Sequence, residues 1–84
     1  MQILGTETFR AEEDPAKQAQ KCLEEAAELS VAVKHEDRRR QEDELADYLQ
    51  AGFNLADLMG IDYTGLVAIM GRCKRRNIAR GRYR

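Results

Sequence analysis

The sequence predicts an all-α protein with three helices per chain, and three observations carry that prediction. Asp14–Pro15 is a helix start: a carboxylate that caps free backbone N–H groups, then the residue whose fixed φ suits the first helical position. No stretch alternates apolar and polar residues convincingly, as a half-buried strand does. Gly60 followed by Asp62 stops one helix and caps the next.

The first helix runs from Pro15 to about His35, rich in alanine, glutamate, lysine and glutamine and free of breakers. The charged run HEDRRRQED (35–43) contains the turn, and Arg38, Arg39 and Arg40 read as a solvated loop. A second helix, from about Gln41 to Met59, is apolar on most sides, so its own chain and a partner must both cover it. The third runs from Asp62 to about Asn77, with Leu66, Val67, Ile69, Met70 and Cys73 at three- and four-residue spacing. Residues 1–13 read as an irregular N-terminal segment and 80–84 as a basic, partly frayed tail. The whole chain, 1–84, is one domain.

Eighty-four residues bury only about 60–65% of their unfolded surface, so oligomerisation into a four-helix-type bundle is the expected source of the missing core. Cys22 and Cys73 lack CxxC spacing and read as packed thiols. MQILGTETFR does not have the pattern of a secretory leader, and no stretch approaches the ~20 apolar residues that span a bilayer. A reduced cytoplasmic protein is the expectation. The net charge of −1 hides an asymmetry: Arg72 to Arg84 hold seven basic and no acidic residues, while the rest carries seven basic and fifteen acidic. Such a tail suits phosphates or nucleic acid, and composition alone does not choose between them.

Two acidic pairs sit beside apolar strips. With Leu23 at zero on a helical wheel, Ala19, Ala26, Ala27, Ser30 and Val33 fall within about 80°, forming one packing stripe. Glu25 and Glu28 lie on the far side, in line with a second strip through Leu29 and Ala32. On the second helix Glu44 falls among Ala51, Leu55 and Tyr48, and Asp47 shares a face with Gln50, Asn54 and Asp57. Ionised carboxylates are costly to bury unless paired or metal-bound. Four gathered across antiparallel helices would repel one another without a cation, and all-oxygen ligands suit Mg²⁺ or Mn²⁺. The plain alternative is a pair of solvated acidic faces.

The two-part pattern EEAAE (24–28) and ELAD (44–47) resembles the MazG-like nucleotide pyrophosphohydrolases of the all-α NTP pyrophosphatase superfamily. KCLEEAAEL looks like the family's first motif helix, ELADYLQAGFNLADLMGID like its second, and RCKRRNIARGRY like the closing segment of short members. The resemblance spans roughly residues 17–83. It implies Glu25, Glu28, Glu44 and Asp47 as Mg²⁺ ligands and Glu24 as a catalytic helper acting on water. Lys21, Asn54, Lys74, Asn77 and Arg80 are implied as substrate contacts. The implied reaction is hydrolysis of a nucleoside triphosphate, a dNTP first among them, to monophosphate and pyrophosphate. A homodimer or homotetramer is expected, with no membrane or nucleic-acid partner. Tryptophan is absent, whereas family members often set an N-terminal or partner-chain aromatic against the base.

Three rivals stand beside this reading. Phosphoribosyl-ATP pyrophosphohydrolase shares the carboxylate logic, but the aromatic–histidine pair typical after its aspartate is missing from DYLQAGFN. A helical nucleic-acid-binding or regulatory module would explain the tail but not the carboxylates. A structural assembly protein would explain only the apolar second helix.

Overall fold

A computed structural model of the chain describes residues 1–83; Arg84 of the expected tail lies outside the described residues. Helix α1 spans Pro15–His35, α2 Arg38–Leu58 and α3 Tyr63–Ala79. Each is opened by an aspartate in extended conformation whose side chain accepts a backbone N–H: Asp14 from Ala16, Asp37 from Arg40 and Asp62 from Gly65. The α1–α2 turn is therefore only Glu36 and Asp37. Arg38, Arg39 and Arg40 are not a loop but the first turn of α2, each paired with an acid four residues on.

Helices α2 and α3 both end on a glycine in the left-handed region, Gly60 at φ 77° and Gly81 at φ 70°. After each glycine the next N–H reaches back five residues, Ile61 to the Ala56 carbonyl and Arg82 to that of Asn77. These six-residue closures satisfy carbonyls that a helix end leaves bare, and a side chain at either glycine would be strained.

The N-terminal segment is not wholly irregular. Strands β1 (Gln2–Ile3) and β2 (Thr6–Glu7) pair antiparallel, Gln2 opposite Glu7 and Ile3 opposite Thr6. The two-residue turn between them has positive φ at Leu4 (50°) and Gly5 (81°), the conformation whose twist matches a tight hairpin. So short a hairpin cannot hold itself together, and α2 holds it. Thr6 Oγ1 donates to Gln50 Oε1 at 2.6 Å, Thr8 Oγ1 to Asp57 Oδ2 at 2.9 Å, and the Phe9 N–H to Asn54 Oδ1 at 3.0 Å.

Helices α1 and α2 form the one extensive helix–helix contact among the described residues. Along α1 the packed stripe runs through Gln18, Cys22, Glu25, Leu29 and Ala32, not through Leu23, which is 64% exposed, or Val33, which is 60% exposed. The strip that carries the acidic pair is thus the one that meets α2. Ala32 and Ala51, both nearly inaccessible, are small enough to let the helices approach closely. Helix α3 contributes no buried residue, and Val67, Met70 and Ile78 stand more than half exposed. Among the described residues, no helix is long and apolar enough to cross a membrane.

Candidate metal centre and its flanking clefts

Helical spacing puts Glu25 and Glu28 one turn apart on α1, and the short turn brings Glu44 of α2 opposite them. One carboxylate oxygen from each of the three lies within 4.8 Å of the other two. Asp47, the fourth residue of the expected set, stands outside this triad but beside Glu25, and lines the same cleft. The acidic residues fall on three accessibilities: Glu44 is buried, Glu25 half-buried, Glu28 exposed.

Two oxygens in this cluster, Glu25 Oε2 and Glu44 Oε2, are inaccessible to solvent and have no hydrogen-bond partner. Such atoms are rare in folded proteins, because each forfeits the hydration it had before folding. A divalent cation held by carboxylates from facing helices is the group that would satisfy both, and an all-oxygen donor set suits Mg²⁺ or Mn²⁺. The donors present therefore fit the metal that the carboxylate pattern implies.

The same crowding acts on Glu25. Burial raises its carboxyl above the usual range, the charges of Glu28 and then Asp47 raise it further, and the Lys21 ammonium at 3.9 Å opposes them. A folded-state pKa above the unfolded value means that the folded state favours protonated Glu25. That contribution is present below the unfolded carboxylate pKa and is lost as pH rises through the folded pKa. In chelator-treated protein, the melting temperature of the native chain relative to a Glu25→Gln variant is expected to fall over that interval. A pH series of thermal melts on the two proteins measures it; parallel curves would remove Glu25 as the strained group.

A cleft opens on each side of the triad. On one side, a cleft of about 260 Å³ is lined by Lys21, Glu25 and Asp47 together with Phe9, Gln18 and Asn54. Gln18 is fully buried; its Nε2 donates to the Ala51 carbonyl at 3.1 Å while its Oε1 has no partner. Asn54 is buried, and its Oδ1 accepts from both the Phe9 N–H and Gln50 Nε2, so it anchors the segment that carries the Phe9 ring. On the other side, a cleft of about 360 Å³ is lined by Glu28, Glu44 and Arg40 over a floor of Ala27, Val31 and Ala32.

The remaining expected residues are placed differently. Glu24 is largely exposed, shares the Lys21 ammonium at 3.6 Å, and lines neither of these clefts. Lys74, Asn77 and Arg80 all lie at the C-terminal end of α3 and line neither cleft; Asn77 donates to Cys73 Sγ at 3.6 Å. Cys22 and Cys73 are free, and burial pushes the Cys22 thiol up, away from reactivity. Three cleft residues escaped the sequence reading. Arg40 carried a signal, the i,i+4 spacing to Glu44, whereas Gln18 and Phe9 carried none that distinguishes them from neighbours.

Comparison with protein families supplies an independent line. The model of the family described as phosphoribosyl-ATP pyrophosphohydrolase matches residues 5–74, a span that includes both acidic pairs, both clefts and the second strand of the hairpin. Searches of curated proteins and of solved structures each found no significant match.

Proposed function

The chain belongs to the phosphoribosyl-ATP pyrophosphohydrolase family, relatives of the MazG-like all-α enzymes, and is a nucleotide pyrophosphohydrolase; from this premise we propose that it cleaves phosphoribosyl-ATP to the monophosphate and pyrophosphate. The family match favours this substrate over the dNTPs that the MazG-like pattern suggests. A second reading, hydrolysis of free nucleoside triphosphates, is favoured by one feature: Tyr48–Leu49 follows Asp47 where an aromatic–histidine pair is typical. Both substrates present the same reacting group, a 5′-triphosphate whose α–β bridge is broken.

The observation that carries the reading is the triad with its two unsatisfied buried oxygens. Glu25, Glu28 and Glu44, with Asp47 beside them, would hold Mg²⁺ or Mn²⁺. When bound, the metal neutralises the triphosphate and lowers the pKa of water for attack at the α-phosphorus. The chain's own groups do the rest. Lys21 faces the cleft beside Glu25, where its ammonium favours a phosphate oxygen. Phe9 offers a ring face, and Gln18 Oε1 an acceptor, to the nucleoside side. Glu24 bears on the site through Lys21, whose ammonium it shares, a positioning role in place of the direct role expected for it.

Lys74, Asn77 and Arg80 enter this scheme from a second copy of the chain. Helix α3 offers an unburied apolar face and a basic C-terminal end, while the α1–α2 hairpin is acidic and leaves Leu23, Val33 and Leu45 exposed. Apolar surface on that scale, with opposite charge on its two halves, supports self-association into the expected four-helix-type bundle, as homodimer or homotetramer.

The test is a panel assay with phosphoribosyl-ATP, the NTPs and the dNTPs in Mg²⁺, scoring pyrophosphate and monophosphate together. Turnover of phosphoribosyl-ATP above any free triphosphate is expected, with complete loss in EDTA. Preference for a dNTP would establish the second reading, and an inactive panel would remove both.

A further inference from the structure

The triad separates two clefts, each with carboxylates and one cation but only one with ring-binding groups, and that difference gives the substrate a direction. The cleft with Phe9, Gln18 and Asn54 adds to its own cation, Lys21, an aromatic face and amide groups, the means of holding a ring and its hydrogen-bonding edge beside the α-phosphate. The opposite cleft has an apolar floor, three carboxylates (Glu28, Glu36, Glu44) and one cation, Arg40. Nothing in it reads a base. Its one group that favours an anion is the guanidinium, whose fork of donors matches phosphate oxygens.

Resting on the pyrophosphohydrolase reading, we propose that Arg40 receives the leaving pyrophosphate, so that substrate lies across the triad with its nucleoside on the Phe9 side. As the oxygen of water bonds to the α-phosphorus and its proton passes to solvent, the bond from the α-phosphorus to the bridging oxygen breaks; that oxygen leaves with the electron pair, and the developing charge falls on the β,γ-phosphates. A guanidinium poised there lowers the cost of that charge.

The geometry of Arg40 fits a group that changes partner. Its Nη2 lies 2.7 Å from Glu44 Oε1, while its side chain is 57% exposed and that of Glu44 only 8%. Arg40 therefore reaches inward from solvent and stands as a positive charge on a buried triad carboxylate. The neighbouring pairs on the same turn, Arg38–Glu42 and Arg39–Asp43, are exposed at both ends. They serve only the helix surface. With Glu44 holding a cation, Arg40 would share that carboxylate less and its guanidinium would be free to turn toward the cleft.

Two measurements on native protein, Arg40→Gln and Arg40→Lys separate this role from a structural one. Mn²⁺ binding is followed by electron paramagnetic resonance without any nucleotide. Binding of inorganic pyrophosphate and of AMP to Mn²⁺-loaded protein is followed by calorimetry. Arg40→Gln is expected to bind Mn²⁺ as tightly as the native chain or more tightly, because a competitor for Glu44 has gone. It is expected to bind pyrophosphate at least about tenfold more weakly, the scale of one charge-assisted contact, with AMP unchanged and Arg40→Lys in between. Unchanged pyrophosphate affinity overturns the proposal. So does a parallel loss of Mn²⁺ affinity, which would make Arg40 merely the prop of Glu44. Absence of Mn²⁺ binding by the native protein is the distinct outcome that removes the functional reading, and this inference with it.

Discussion

Glu25→Gln is expected to lower kcat/KM by roughly 10³-fold, since a ligated cation stabilises developing charge by several kcal/mol and each ~1.4 kcal/mol is a factor of ten in rate. The same substitution is expected to raise the melting temperature of the metal-free protein at neutral pH. Glu25 carries a buried, unpartnered oxygen beside Glu28 and Asp47, and a neutral amide ends that repulsion while filling the same volume. The signs diverge only if the cluster exists to hold a cation. Saturating Mg²⁺ should raise the melting temperature of the native chain by roughly 10–20 °C at a hundredfold excess over its dissociation constant, and that of the variant little. Thermal melts with and without Mg²⁺, set beside the rate assay, read out all three effects. A variant that is less stable without metal would show the acidic cluster to be ordinary surface charge.

Ala32→Leu is expected to destabilise the chain by about 1–3 kcal/mol, the usual cost of forcing extra methylenes into a packed contact. In a domain of this size that lowers the melting temperature by about 4–8 °C per kcal/mol. Ala32 is 2% exposed at the α1–α2 contact, one turn beyond Glu28, and forms part of the floor of the Arg40 cleft. Spreading the helices there separates Glu28 from Glu44, and a displacement near 1 Å at a reacting centre costs about 10²-fold in rate. Activity is therefore expected to fall even below the melting transition, together with Mn²⁺ affinity. Ala16→Leu, exposed in the first turn of α1, is the control and should stay within about 0.5 kcal/mol of the native chain. Equal behaviour of the two variants would contradict the close helix approach at Ala32.

The starts of α1 and α3 are legible because each is written in one residue: Asp14 before Pro15, and Asp62 after Gly60. The start of α2 was placed three residues late. Arg38–Arg40 look like solvated loop, yet the i,i+4 acids downstream make them a helical turn. The hairpin escaped because two-residue strands leave no alternation to read, and its stability lies in side chains of α2 that are distant in sequence. The packed face of α1 was assigned to the more apolar stripe through Leu23, whereas the chain buries the more polar one. The inversion is physical: the candidate site lies at the interface, so polar and acidic residues occupy positions that hydrophobicity would give to leucine.

Three of the four carboxylates expected to bind metal meet as their spacing implies, because i,i+3 geometry is local and a two-residue turn leaves little freedom in how α1 faces α2. What spacing cannot reveal is the flank of the site. Phe9 is held there by its backbone bond to Asn54, Gln18 keeps an oxygen without a partner only once the helices pack, and Arg40 reaches the cleft paired with Glu44.

The brevity of the Glu36–Asp37 turn also bears on how the molecule comes into being. Glu28 and Glu44 are sixteen residues apart, and all contacts of the α1–α2 pair are of this near-neighbour kind or radiate outward from it. Loop closure over so few residues is entropically cheap, and local topologies are the ones that form fastest. A helical hairpin with so short a turn is expected to bring the carboxylates together early in folding. On the proposed reading, a dissolved cation would then act as an early clasp on the nascent chain, and the carboxylate cluster would be among the first parts of the molecule to take shape.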